Sequence, residues 1–336
     1  MNALRSEDRL ITRKRIWLLC RIAVPVLILA AVLATRNWGR LVSLVQQADY
    51  RLLAAAFVLY LTAVIIQGWR WGVLLNSDGG QWPYRRLLSV HFIAMFFDIF
   101  TPGKLGSDAY RLAAIRRPGR MHHMVMTLVA MRMQGLGASL LLASVTGSII
   151  LGKQYGTGPV AAIAIVLILA LGVSAYGLHR LGTAGAKRLS AGHGIWASVG
   201  THLQRAIDAF NAILVKARTL AVSGALVIVY LLVVISIFAL VGRAFQMDLA
   251  YSSYLCVVPI LLIAAVIPIS IQGRGIVEVL AILLWQGQRA TSEQIVLTCL
   301  AVYALGLTQA LLGGGAWLIL RNRNPLAGVG QAEVLP

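Results

Sequence analysis

Apolar residues run almost unbroken through six stretches of the chain, approximately 16 to 35, 52 to 75, 124 to 151, 159 to 178, 219 to 242 and 294 to 320. A hydrocarbon core about 30 Å thick takes about 20 helical residues to cross, so each stretch is predicted to be a transmembrane helix. Two more apolar stretches, 87 to 110 and 253 to 287, are interrupted. The first carries Asp98, Pro102, Gly103, Lys104, Gly106, Asp108 and Arg111, and the second carries Pro268, Gly273, Arg274, Gly275 and Glu278. A bilayer tolerates such breaks only where the backbone is buried in protein or lines a polar cavity. Broken, charged segments in corresponding places of two halves are the sequence sign of a transporter built from repeats.

Basic residues orient these elements, because short cytoplasmic loops are enriched in Lys and Arg. Arg5, Arg9, Arg13, Lys14 and Arg15 put the N-terminus inside. The loops with Arg116, Arg117 and Arg120 and with Arg180, Lys187, Arg188, Arg205, Lys216 and Arg218 can both be inside only if 87 to 110 enters from the cytoplasm and returns. The second broken segment then starts outside, and its distal arm, Ile276 to Trp285, is too short to cross alone. The expected fold is therefore an all-α polytopic membrane protein. Residues 1–15 are a cytoplasmic segment, 16–151 a first repeat with re-entrant hairpin 87–110, and 158–320 a second, inverted repeat with re-entrant hairpin 253–287. Each repeat has three transmembrane helices, and 321–336 is a cytoplasmic tail that holds Arg321 and Arg323.

Composition agrees. The 336 residues are 59% hydrophobic and 12% charged with mean hydropathy +0.80, which excludes a soluble enzyme of this length. The net charge of +19 sits in short segments between apolar runs, a placement that suits anionic lipid and not nucleic acid. Cys20, Cys256 and Cys299 lie in apolar segments without CxxC spacing and read as packing residues. The N-terminal apolar run is long for a signal peptide and is expected to stay as an uncleaved first span. Within the polar connection 179 to 218, Trp196, Val199, Leu203, Ile207, Phe210 and Leu214 recur at helical spacing, which fits a surface helix lying on lipid or on the protein's own loops. Trp17, Trp38, Trp69, Trp71, Trp196 and Trp317 fall near span ends and read as interfacial anchors.

Several residues could carry chemistry. Pro102 and Gly103 can end a helix inside the membrane, and the freed backbone groups make such a break a ready site for phosphate or ions. Asp108 and Arg111 are three apart, and Arg274 and Glu278 four apart, so each pair shares a face if helical. They either bind a substrate or hold the hairpins as structural ion pairs, and the cost of burying charge favours function. Arg132, mid-span, needs an anionic partner among Asp98, Asp108, Glu278 or a lipid phosphate. Asp98 lies among Phe and Ile, where desolvation favours its neutral form; it is a candidate proton carrier or a structural, hydrogen-bonded acid. Arg70, between Trp69 and Trp71, is expected to snorkel to the cytoplasmic surface. Gly103-Lys104 is no Walker A loop, since position 98 is Asp and position 105 Leu. His122 and His123 are adjacent and make a poor metal pair, no metal or other cofactor is indicated, and Gly68/Gly72 and Gly313 to Gly315 read as helix-packing patches.

At the two broken segments the chain resembles the flippase-like integral membrane domain of the lysylphosphatidylglycerol synthase (multiple peptide resistance factor) superfamily. The resemblance rests on the Phe-rich run into Pro102-Gly103, with Gly106, Asp108 and Arg111, and on Pro268-Ile269-Ser270, Gly273, Gly275 and Glu278. It implies a protein that moves lipids with polar headgroups between leaflets. The family's full-length synthases add a soluble aminoacyl-transferase domain, for which no room is expected after Leu320. The family commonly has Asn at the place of Asp98, Gly at Ser107, an aromatic residue at Arg274 and Arg at Val277. That displaced arginine leaves room for a headgroup other than lysylphosphatidylglycerol.

The expectation is a non-enzymatic lipid flippase of a bacterial inner membrane, with both termini cytoplasmic and a phosphate-bearing lipid as its partner. Asp98, Lys104, Asp108, Arg111, Arg132, Arg274 and Glu278 would bind the headgroup, and Pro102, Gly103, Gly106, Pro268, Gly273 and Gly275 would break the helices. Proton or ion coupling and a homo-oligomer are compatible with it. An ion-coupled carrier of a small anionic solute, or a membrane enzyme acting on a lipid-linked substrate, are the alternatives from other classes.

Overall fold

The structure is a computed structural model, and it describes residues 37–101, 105–117, 119–155, parts of 200–211, 216–266, 274–285 and 288–323. The expected spans 16 to 35 and 159 to 178 and most of the connection 179 to 218 lie outside the described residues, as do Lys104, Pro102, Gly103, Pro268 and Gly273. Among the described residues every regular element is helical. In chain order these are α1 (Trp38–Gln46), α2 (Tyr50–Leu75), α3 (Tyr84–Phe97), α4 (Leu105–Ala114), α5 (Met121–Tyr155), α6 (Ala217–Ala244), α7 (Tyr251–Val266), α8 (Ile276–Trp285) and α9 (Ser292–Arg323). Four of them, α2, α5, α6 and α9, are long and apolar enough to cross a membrane, at the positions the hydrophobic pattern predicts. Short α1 departs from that pattern; its Leu41 and Leu44 are buried while Trp38 and Val42 face outward.

Local chemistry sets the helix ends. Asp49 caps α2 by accepting from the amides of Arg51 (2.9 Å) and Leu52 (3.4 Å). Beyond α2, the Asn76 side chain donates to the Trp82 carbonyl (3.1 Å) and accepts from its amide (3.0 Å), which closes the turn into α3. Thr291 and Gln294 form a reciprocal capping box at the start of α9: the Thr291 amide donates to Gln294 Oε1 (2.9 Å) and the Gln294 amide to Thr291 Oγ1 (3.4 Å). Gln294 Nε2 also donates to the carbonyls of Phe245 (3.0 Å) and Gln246 (2.8 Å), fastening α9 to the end of α6.

The helices fall into two series with matching lengths. Helices α2, α3, α4 and α5 have 26, 14, 10 and 35 residues, and α6, α7, α8 and α9 have 28, 16, 10 and 32. Their packing matches as well. The pair α3–α9 is mirrored by α7–α5, α2–α3 by α6–α7, α3–α4 by α7–α8, α4–α5 by α8–α9, α2–α5 by α6–α9, and α5–α6 by α9–α2, while α2 and α6 pack on each other. Each series has its own apolar core. One surrounds Trp71, Leu74, Leu87 and Met124, the other Tyr254, Leu261, Trp285 and Ile295, and a third cluster with Ala63, Ile237 and Val241 joins α2 to α6. Large apolar side chains such as Val58, Ile65, Leu283, Leu311 and Leu318 face outward, as they do where lipid replaces water as the solvent.

Glycines set how close the helices come. A Cβ at Gly313 would stand 2.5 Å from the Phe92 carbonyl oxygen, and one at Gly314 would stand 2.5 Å from the Phe96 ring. On α2, Gly68 and Gly72 admit Leu88 and Tyr84 of the same helix α3. Helix α3 is thus clamped between two glycine patches, the packing role the sequence suggests for both.

Candidate functional site

The α3–α4 break brings a carboxylate to the start of α4. A 3₁₀ turn, Asp98–Phe100, follows α3, and the buried Asp98 accepts from the Ser107 amide at 2.9 Å. Thr101 Oγ1 donates to the Phe97 carbonyl (3.1 Å) and accepts from the Gly106 amide (2.7 Å). Gly106 lies in the first turn of α4, not in the break itself, a correction to its expected role. Glycine is required there because a Cβ would stand 2.3 Å from the Phe97 oxygen. Gly275 lies before α8, not within it. It holds φ +82°, a left-handed conformation that favours glycine, immediately before α8.

Asp108 and Arg111 share a face of α4 as their spacing predicts, with Oδ1 3.5 Å from the Arg111 Nη1. The other oxygen of Asp108 accepts from Arg132 on α5, so this carboxylate lies between two guanidiniums. That supplies the anionic partner Arg132 needs. The Arg132 side chain is nevertheless 41% exposed, while Arg111 is buried against Trp71 with its guanidinium carbon 5.5 Å from the ring centre. The second broken segment behaves differently. Helix α8 begins at Ile276, so Arg274 precedes it and the expected helical pairing with Glu278 does not form. The Arg274 guanidinium instead stacks on Tyr303 of α9 (3.5 Å), and Glu278 accepts from the Gly275 amide (2.7 Å).

Asp98, Asp108, Arg111, Arg132, Arg274 and Glu278 all line one cavity of about 410 Å³, so the structure brings together every expected headgroup-binding residue that it describes. Its remaining wall is mostly apolar, with Leu128, Leu136, Val227, Leu231, Val234 and Leu261 among the contributors. Several polar cavity residues were not legible as such in the sequence, among them Tyr60, Gln67, His91, Ser139, Tyr230 and Tyr303. Another, Arg70, corrects the snorkelling expectation. Arg70 is 2% exposed, and it donates from Nη2 to the Met131 carbonyl (2.7 Å) and Gln134 Oε1 (3.2 Å) and from Nη1 to Gln67 Oε1 (3.2 Å). Its neighbour Trp71, expected at the interface, is also buried, whereas Trp38 and Trp69 are exposed. The available signal was the spacing Tyr60, Gln67, Arg70, a polar stripe on one face of an apolar helix.

Long apolar helices, an apolar exterior and an interior cavity with both signs of charge define a polytopic membrane protein. The family described as the lysylphosphatidylglycerol synthase TM region matches residues 17–313, and the chain belongs to it. Among curated proteins no match is found.

Proposed function

We propose that this protein moves a phosphate-bearing lipid between the leaflets of a bacterial inner membrane, as a transporter and not an enzyme. The observation that carries the reading is Asp108 set between Arg111 and Arg132 in the same cavity as Arg274 and Glu278. The cavity holds four arginines, Arg70, Arg111, Arg132 and Arg274, against three carboxylates, Asp98, Asp108 and Glu278, a basic surplus that favours a phosphate, which arginine can bind through paired N–H groups. Arg274 and Glu278 would meet the other polar groups of the headgroup, and the apolar walls would accept the start of its tails.

The matched helix series support an inverted repeat. Helices of 14, 10, 16 and 10 residues rise about 21, 15, 24 and 15 Å, short of a core about 30 Å thick, so α3–α4 and α7–α8 are read as re-entrant pairs. In this reading they enter from opposite sides, both termini are cytoplasmic, and rocking of the two series about the α2–α6 contact exposes the cavity to each leaflet in turn.

Headgroup accessibility in proteoliposomes, across a panel of anionic, aminoacylated and polyprenyl phosphate lipids, tests this. Transfer of a phosphate-bearing lipid is expected, reduced by Arg274→Ala and by Glu278→Ala in variants that still fold. Failure to move any panel lipid, with saturable uptake of a water-soluble anion instead, would replace the reading with a solute carrier.

A further inference from the structure

Arg70 is a fourth arginine of the cavity, and it differs in kind from the other three. Arg111 and Arg132 share Asp108, and Arg274 lies on an aromatic face beside Glu278. Arg70 makes its three hydrogen bonds to neutral oxygens of Gln67, Met131 and Gln134, and among the described residues no carboxylate pairs with it. Its buried Nε has no hydrogen-bond partner, although the side chain lines the cavity. A guanidinium stays charged at any physiological pH, so a buried one without a counter-ion calls for an anion. The surroundings are built for holding that charge in place. Gln134 Oε1 also accepts from the buried Ser223 hydroxyl (2.6 Å), which fixes the amide that orients Arg70.

We infer that Arg70, oriented by Gln67 and Gln134, forms a subsite for a phosphate-type oxyanion on the α2–α5–α6 wall of the cavity. The inference rests on the cavity being a substrate path. The anion is either the phosphate of a lipid headgroup during its passage or a free phosphate held by the protein. Both present the same oxygens to the guanidinium.

The test is calorimetric titration of the purified full chain, in uncharged detergent, with dihexanoylphosphatidylglycerol and separately with inorganic phosphate. Saturable binding of at least one probe is expected. Arg70→Gln should weaken it about tenfold or more or remove one binding equivalent, the scale of a lost charge-assisted hydrogen bond, and Arg70→Lys should retain part of it. Gln67→Glu is the second variant, because it places a carboxylate where the 3.2 Å contact to Arg70 already exists. It should raise the thermal midpoint and abolish the Arg70-dependent binding, whereas a merely structural Arg70 would be stabilised with binding unchanged. Loss confined to the lipid probe assigns the subsite to a headgroup, and equal loss for both probes assigns it to free phosphate. Wild-type affinity and stoichiometry in Arg70→Gln and Gln67→Glu, or no binding of either probe to the wild type, would overturn the inference. Arg70-dependent binding without leaflet transfer would keep the subsite and remove the transport reading, while transfer with binding insensitive to Arg70 would remove only the subsite.

Discussion

Replacing Gly106 by alanine should damage the packing of α4 against the end of α3. The new Cβ would stand 2.3 Å from the Phe97 carbonyl oxygen and 2.5 Å from Thr101 Oγ1, against the 3.4 Å or more of an ordinary contact. The nearer obstacle is backbone at the end of α3, so no side-chain rotation relieves it, and α3 and α4 must separate. Separation stretches two hydrogen bonds, Gly106 amide to Thr101 and Thr101 to Phe97, worth about 1 kcal/mol each. Overpacking adds about 1–3 kcal/mol, for an expected total of about 3–5 kcal/mol. The same motion lengthens the Ser107 amide to Asp98 bond and shifts Asp108 from Arg132, so lipid transfer should fall with stability. Gly137→Ala is the control, since a Cβ there meets nothing within 4 Å; it should change stability by no more than about 1 kcal/mol in either direction. Thermal unfolding of both variants in one detergent reads the difference. Equal midpoints for Gly106→Ala, Gly137→Ala and wild type would refute the close apposition of α3 and α4.

Gly242→Ala places a Cβ 2.2 Å from the Tyr254 hydroxyl and should lower the thermal midpoint; Tyr254→Phe removes that oxygen and should restore much of the loss, and no rescue would count against the contact. Asp108→Asn leaves Arg111 and Arg132 facing each other, at a cost of about 1–2 kcal/mol because Arg132 is half exposed. The double variant Asp108→Asn/Arg132→Gln should recover part of that stability but not transfer, a non-additivity measured by a double-mutant cycle. An impermeant thiol reagent applied to intact cells, in a background without other cysteines, should leave Arg117→Cys unlabelled and label Gln288→Cys. External labelling at 117 would overturn the re-entrant assignment.

The long helices were legible because their apolar length exceeds what any soluble helix of this composition needs, and the two broken segments because charge and proline interrupt them. Convergence of the charges was legible for the same reason: isolated charge in lipid needs a partner. Arg70 was misread because flanking tryptophans and a position near a span end are the usual marks of an interfacial arginine. What places it inside is the tertiary neighbourhood, the Met131 carbonyl and Gln134 of α5, which no local pattern in α2 reports. The pairing of Arg274 with Tyr303 was hidden likewise, since it depends on α8 starting at Ile276 and not two residues earlier.

The two helix series share a scaffold and only part of its chemistry. Tyr60 and Tyr230, Gly72 and Gly242, Tyr84 and Tyr254, and Gly135 and Gly306 are separated by the same interval to within one residue, and they occupy corresponding helices. Some are packing positions, since Gly72 admits the ring of Tyr84 as Gly242 admits that of Tyr254, and others, Tyr60, Tyr230, Gly135 and Gly306, line the cavity. At the same interval Asp108 corresponds to Glu278 and Lys104 to Arg274, so part of the charge set is repeated, while four charged residues have no charged counterpart. Arg70 corresponds to Leu240, Asp98 to Pro268, Arg111 to Ile282 and Arg132 to Tyr303. In the proposed mechanism the repeated frame would rock between two equivalent arrangements, while the unmatched charges Arg70, Asp98, Arg111 and Arg132 would give a headgroup different partners in each. In the proposed mechanism this gives the cavity distinct stations for one phosphate, the first series contributing Arg70, Arg111 and Arg132 and the second contributing Arg274. Direction of transfer then follows from which station each arrangement leaves open, a property the frame alone, being the same in both halves, could not supply.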